Sequence, residues 1–312
     1  MTKRTQLAAL VPGLSKAKVL CVGDVMLDHF RYGTVDRISP EAPIPVLKVE
    51  REEAMLGGVG NVVRNLSALG AQTRFVTVTG EDNAGKTIAR QIKELGLADK
   101  PIIDENRQTS TKTRYIAGVQ QVLRADQETA HPLDAKIEAK LVRAASAAMR
   151  GCKVVVLSDY GKGVLAGGIA QKIIKAARRA KKAVIVDPKG SDFAPYAGAD
   201  VITPNLSELG LATAKPIATD ADVVAAAKRL IKKHRFGAVL VTRSADGMTV
   251  VPKSGRAVHL AAESQEVFDV SGAGDTVAAA IAAALACGAT LAEAAALANV
   301  AAGIVVGKVG TA

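Results

Sequence analysis

Aromatic side chains are nearly missing from this chain, with no tryptophan, five phenylalanines and four tyrosines among 312 residues. Single-stranded nucleic acid is held largely by stacking bases on aromatic rings, so that mode is excluded and any bound base must rest on aliphatic surface. Cysteine is scarce as well. Cys21, Cys152 and Cys287 have no metal-ligand spacing and cannot all pair, which fits a reducing compartment better than a secreted disulfide scaffold; the expected location is the cytoplasm. Long apolar runs are also lacking. The amino terminus is basic but has no apolar stretch long enough for a signal peptide, and the nearest thing to a membrane span, 277–292, is short, mostly alanine and followed by Glu293. It reads as a buried helix.

What remains is the composition of a globular protein with a sizeable core, 49% hydrophobic and 23% charged. The net charge of +11 does not by itself choose among nucleic acid, a membrane surface and small anions. Its lysines and arginines cluster in amphipathic stretches such as 172–182 and 228–235, where alternation with apolar residues makes a solvated helix face, so neither nucleic acid nor membrane is the expected partner.

From residue 153 onward, short apolar strands alternate with amphipathic helices: KVVVLS, AVIVD, DVITPN and AVLVTR, with helices at 166–181, 274–288 and 290–307. The amino-terminal half starts the same way, with KVLCVGD, a helix at 60–69, RFVTVT and a helix at 86–95. Apolar strands without alternation belong to a parallel sheet covered on both faces. The expected fold is one doubly wound α/β domain over 1–312. Two segments break the rhythm, 31–52 and 110–126. They alternate polar with apolar residues and carry turn signals at Gly33, Pro43, Pro45 and Gly118, which predicts short antiparallel strands forming a small β flap, or lid. Such a flap covers a ligand crevice, pairs with another subunit, or does both.

Two motifs compete for a phosphate. Gly80 to Thr87, GEDNAGKT, matches the Walker A pattern and lies between a strand and a helix. Glu81 and Asp82 would set two carboxylates beside a triphosphate, however, so a P-loop NTPase is the weaker reading and Lys86 is expected in solvent. The second motif is Asp269-Val270-Ser271-Gly272-Ala273-Gly274-Asp275-Thr276, which runs straight into the alanine-rich helix. Small residues there expose the backbone N–H groups of a helix N-terminus to an anion. Beside such an anion hole, Asp275 has the chemistry of a general base for a hydroxyl attacking a phosphoryl group.

The stretch Asp269 to Ala282 resembles the carboxy-terminal signature of the ribokinase-like (PfkB) carbohydrate kinases. Gly57-Gly58-Val59-Gly60-Asn61, with Gly70 and Gly80, approximates the amino-terminal one. Val59 and Val63 are larger than the small residues usual in that signature. Asn205-Leu206-Ser207-Glu208 looks like the family's Asn-x-x-Glu motif, and Thr242-Arg243-Ser244-Ala245-Asp246-Gly247 like its nucleotide loop. The resemblance implies a ribokinase-like fold, ATP and Mg²⁺. Asp275 would be the base, and the amides of 272–275, with Gly272, Ala273 and Gly274, would hold the phosphoryl group. Asn205 and Glu208 would serve Mg²⁺ largely through water; Leu206, Ser207, Thr242, Arg243 and Gly247 would serve the nucleotide. Asp24, Gly57, Gly58 and Asn61 would serve the sugar.

Within that family the chain is similar to the D-glycero-β-D-manno-heptose 7-phosphate kinases of lipopolysaccharide core synthesis. The carrying residues are Gly23 to Asp28, Arg37 to Val46 (RISPEAPIPV), Lys112-Thr113-Arg114, Arg124 to Glu128 and Asp187-Pro188-Lys189-Gly190. This implies phosphorylation of the anomeric hydroxyl to give a 1,7-bisphosphate, with another PfkB sugar or sugar phosphate as the alternative. Lys112, Arg114, Arg124 and Lys189 are the candidate cations for the substrate's phosphate. None of the four histidines forms a His-x-Gly-His motif, so the expected chain is the kinase half, with a separate nucleotidyltransferase downstream. A homodimer through the flap is expected.

Overall fold

The computed structural model describes residues 3–263 and 270–307. Its centre is an eight-stranded sheet, in spatial order Val258–Leu260, Met248–Pro252, Ala238–Thr242, Val201–Ile202, Ala183–Asp187, Val154–Ser158, Lys18–Gly23 and Gln72–Val76. The six strands from Ala238–Thr242 to Gln72–Val76 are parallel, and the other two close one edge antiparallel. The fold is α/β and mostly parallel, as the strand pattern predicts. Alternation along each apolar strand feeds two separate cores. Leu20, Val22, Val155, Leu157, Val184 and Val186 face the helices Ala135–Ala148, Ile169–Arg179 and Asp220–His234. Val19, Cys21, Val154, Val156 and Ile185 face Val59–Ala68, Ala273–Ala286 and Leu291–Val306.

The helix Ala273–Ala286 is buried along its length, from Asp275 to Ala284. Its alanines have no bulk to hold neighbours off, so it lies close to both the sheet and the helix Leu291–Val306. Gly272, at φ +80°, starts it in a conformation that favours glycine. No helix among the described residues is long and apolar enough to cross a membrane.

The flap is larger than the sequence pattern indicates. Its four strands, in the order Pro45–Gly58, Val25–Ile38, Ser110–Ala117 and Gln120–Gln127, include two of fourteen residues each. The central pair, Val25–Ile38 with Ser110–Ala117, is parallel, which corrects the expectation of a wholly antiparallel flap. Pairing from Val25 to Gly58 runs to the root of the hairpin, because the chain enters the flap directly from the central strand Lys18–Gly23. Gly33 is no turn: it sits at a register shift inside a strand, where a Cβ would meet the Lys48 carbonyl at 2.0 Å. Gly118, at φ +59°, is a turn, as expected.

Asp24 joins the two sheets. Its buried carboxylate accepts the backbone N–H groups of Tyr160 (2.8 Å), Lys162 (3.0 Å) and Val164 (3.0 Å). A single side chain thus clamps the loop that follows the central strand Val154–Ser158. Asp24→Ala should leave those buried amides without partners and lower stability by on the order of 3 kcal/mol. Denaturant unfolding, with hydrogen exchange at residues 160, 162 and 164, checks this; unchanged protection there would remove the clamp role.

Candidate active site

Asp275 lies in the first turn of the buried alanine-rich helix and is 3% exposed. Both its carboxylate oxygens are held: Asn61 Nδ2 donates to Oδ2 at 3.0 Å and the Tyr160 hydroxyl to Oδ1 at 2.9 Å. Thr276 next to it donates to Asn65 Oδ1 at 3.0 Å, tying this helix to Val59–Ala68. Among the candidate anion-hole amides, that of Ala273 already donates to the Val270 carbonyl at 3.2 Å. The first-turn amides of Gly274 and Asp275 are of the kind a helix leaves without an intrahelical acceptor. Gly274 has nothing within 4 Å of where a Cβ would stand, and it faces a polar cavity of about 150 Å³. Asp269 lies outside the described residues.

Of the residues expected to serve the nucleotide and its metal, Asn205, Glu208 and Thr242 line the same cavity. Asn205 and Glu208 form a reciprocal cap at the start of the helix Leu206–Thr213, and Asn205 bridges to Thr242 at the end of the neighbouring strand. Leu206 is half-buried against the core and Ser207 is exposed, so this turn contributes its backbone and Glu208. Gly247 is required by its fold: at φ +79°, a Cβ would lie 2.0 Å from the Leu260 carbonyl. Arg243 departs from expectation. Its guanidinium is taken by Asp220 (2.7 Å) and Thr249 (3.1 Å), so it braces the loop instead of facing the cavity.

On the sugar side the structure rearranges the candidates. Asp24 holds the loop clamp and Asn61 donates to Asp275, so both expected sugar-side residues have internal partners. Asp28 is a further buried carboxylate at the root of the flap. It pairs with Arg114 at 2.5 Å and approaches Gly57 so closely that a Cβ there would lie 2.1 Å from its Oδ2. Gly58, at φ +59°, has the Asp24 carbonyl 2.4 Å from where a Cβ would stand, so its role is to let the chain pass. Lys112, Arg114 and Arg124 share one face of the flap with Asp28, since cross-strand partners point the same way. Arg124 is held by Asp126 at 2.9 Å and is half exposed. Lys189 lies 3.8 Å from Glu208 on the wall of the cavity that Tyr160, under Lys112 of the flap, also lines.

The Walker-like segment forms no phosphate cradle. Asp82 caps the helix Asn83–Glu94 through the Gly85 amide (2.7 Å) and also takes the Thr109 amide (2.8 Å), so its carboxylate faces inward on the turn where a phosphate would need donors. Lys86 is exposed, as expected. A larger cavity of about 620 Å³ lies against this segment and contains none of the residues around Asp275.

Burial dominates the electrostatics. It pushes Asp275 up to about 6 against the two hydrogen bonds that favour its ionised form, with the Asp28 charge adding to the rise and Lys112 opposing it. Asp187, to which the sequence analysis assigns no site role, is pushed to about 8 by burial and by the charge of Asp275. The Thr203 hydroxyl, at 2.9 Å, is too little to offset this. Burial also raises Glu208 and lowers Lys112. Carboxylates crowded on one wall are a setting that a cation relieves. Among the described residues no three metal-ligating side chains converge, so a cation at Asn205 and Glu208 would complete its shell with water and phosphate, as Mg²⁺ commonly does.

A parallel sheet, a flap over its edge and a carboxylate at a helix N-terminus define a phosphoryl-transfer kinase of the ribokinase type. The model of the pfkB family carbohydrate kinases matches residues 16–312, and the chain belongs to that family; it is an ATP-dependent sugar kinase. It is similar to the Bifunctional protein HldE of Paramagnetospirillum magneticum, 59% identical over 99% of this chain and 64% of the relative. A second such protein, from Rhodospirillum rubrum, is 54% identical over 98% of this chain and 62% of its own length. The chain therefore spans less than two thirds of these relatives. Among solved structures it resembles phosphofructokinase-2 from Escherichia coli in complex with potassium, with a TM-score of 0.79, 19% identity and 95% and 94% of the two chains covered. Ribokinase from Arabidopsis thaliana complexed with ribose and ATP gives a TM-score of 0.72, 22% identity and 95% and 94% coverage.

The raised carboxylates have a consequence for stability. Asp187 titrates near 8 in the folded chain and far lower when unfolded, so between those values the folded state binds the extra proton. The contribution of this group is fully present below about pH 4, the ordinary aspartate value, and is lost as pH rises to about 8. Asp187→Asn should flatten the decline in thermal midpoint between about pH 5 and pH 8 relative to wild type. Parallel curves for the two proteins would show that Asp187 carries no such linkage.

Proposed function

We propose that this kinase transfers the γ-phosphoryl group of ATP to the anomeric hydroxyl of D-glycero-β-D-manno-heptose 7-phosphate, giving the 1,7-bisphosphate. The observation that carries the chemistry is the position of Asp275, between a polar cavity lined by Asn205, Glu208 and Gly274 on one side and the cationic face of the flap on the other. A carboxylate titrating near 6 is ionised at neutral pH yet basic enough to accept a hydroxyl proton. The anomeric oxygen attacks the γ-phosphorus, its proton passes to Asp275, and the bond to the ADP oxygen breaks while the Gly274 and Asp275 amides hold the transferring group. Mg²⁺, when bound near Asn205 and Glu208, supplies neutralisation of the triphosphate charge.

The choice of sugar rests on the RISPEAP segment and on the identity with the HldE proteins over nearly all of this chain. Lys112 supports a phosphorylated substrate: it is half-buried, lies over the Tyr160 ring at 5.7 Å and is depressed by desolvation, a cost that an arriving phosphate would offset. Removing it should lower kcat/KM for the heptose 7-phosphate by about 10- to 100-fold and that for the unphosphorylated heptose much less, the remaining effect being the lost support of the Asp275 charge. Asp275→Asn should lose turnover on both sugars by about 100- to 10,000-fold. Equal efficiency of wild type with the two sugars would favour another PfkB substrate, and an active Asp275→Asn would remove the base.

The chain acts as one kinase domain in this reading, and the flap pairs two copies. Val35, Ile38, Ile44, Val49, Val119, Val122 and Leu123, all on flap strands or their turns, are exposed. Such an apolar edge is a liability unless covered. Light scattering at micromolar concentration should give a dimer mass; a monomer would leave the flap as a lid alone.

A further inference from the structure

The loop 159–164 is held more firmly than a connection over a sheet edge requires. Besides the three amides taken by Asp24, the Gly161 amide donates to Asp159 Oδ1 at 2.7 Å and the Tyr196 hydroxyl to Asp159 Oδ2 at 2.7 Å. Arg107 donates to the Lys162 carbonyl at 2.6 Å. What this scaffolding presents is Tyr160, whose ring is covered by Lys112 and whose hydroxyl reaches Oδ1 of Asp275. A phenylalanine would fill the same volume, so packing alone does not call for the hydroxyl.

We propose that Tyr160 is a positioning residue for phosphoryl transfer, its hydroxyl fixing the rotamer of Asp275 and holding that carboxylate in its ionised, proton-accepting form. The inference rests on Asp275 being the base. A buried carboxylate is neutralised unless donors favour its charge, and Asp275 has two neutral ones, Asn61 on one oxygen and Tyr160 on the other. The charged groups facing it come from several elements. Asp28 of the strand Val25–Ile38 disfavours the ionised form, Lys112 of Ser110–Ala117 favours it, and Asp187 at the end of Ala183–Asp187 is itself raised by the Asp275 charge. Tyr160 cannot supply a proton of its own near neutral pH, since burial and the Asp275 charge push its hydroxyl well above its usual range. It therefore donates a hydrogen bond without giving up the proton.

The test is the pH profile of kcat/KM for wild type and Tyr160→Phe, assayed with ATP, Mg²⁺ and the sugar phosphate. Loss of one hydrogen bond to a charged group should move the acid limb upward by about one pH unit, so the variant's deficit is largest at acidic pH and shrinks as pH rises. Titration of the substrate's own phosphate is common to both proteins and cancels in the difference. Profiles that superimpose, or a deficit equal at every pH, would overturn the inference. Asp275→Asn, alone and combined with Tyr160→Phe, separates the two readings. Residual activity of Asp275→Asn should be insensitive to Tyr160→Phe, because no carboxylate remains to be tuned. An inactive Asp275→Asn with an unshifted Tyr160→Phe profile defeats only the role of Tyr160, whereas a fully active Asp275→Asn defeats the base itself.

Discussion

The ionisation of carboxylates in a place with little water is the constraint on which this site depends. Three aspartates lie deep at the carboxyl ends of the parallel strands or facing them, and each is compensated differently. Asp24 has three backbone amides and is still raised to about 6, with the Asp159 charge working against it. Asp275 has two side-chain donors and reaches about 6 as well. Asp187 has one hydroxyl and the Asp275 charge nearby, and it rises to about 8. The carboxylate with the fewest donors beside a like charge is thus the most readily protonated. Of the two neighbours, Asp275 with its two donors is therefore the more readily ionised and Asp187 the less.

The two sheets divide the work. The main sheet and the alanine-rich helix are rigid, because the inner parallel strands are buried on both faces and the helix is packed on every side. They hold Asp275, Gly274 and the Asn205–Glu208 turn in one frame. The flap carries the cations and Asp28 on a surface exposed to solvent over much of its length. Asp24 sits where the chain passes from one sheet to the other, and its clamp on the loop 159–164 links the root of the flap to Tyr160 and so to Asp275.

Much of the architecture is legible in the chain. Strand and helix alternation gives the parallel sheet, and the Gly-Ala-Gly-Asp run before an alanine-rich helix marks the candidate base and its anion hole. The helix Ala135–Ala148 is not among the expected elements, although its buried Ile137, Leu141, Ala145 and Ala148 recur at helical spacing. Asp28, Tyr160 and Asp187 stand in motifs or at strand ends where nothing local assigns them a role. The sequence shows that they are near the right strands and cannot show which way their side chains turn. Asp24, Asn61, Arg243 and Lys189 are residue types that suit ligands equally well, and only the structure shows the internal partners each of them has.

Local chemistry and periodicity, both properties of consecutive residues, are enough to determine a doubly wound fold, a glycine-started helix with an acid in its first turn, and a Walker-like loop too acidic to cradle phosphate. Tertiary structure alone decided which carboxylates are spent on backbone and which face a cavity. That depends on contacts between residues far apart in the chain, such as Asn61 with Asp275 and Asp28 with Arg114, and on the burial that those contacts create. Desolvation is a property of the assembled fold, and no single stretch of sequence carries it.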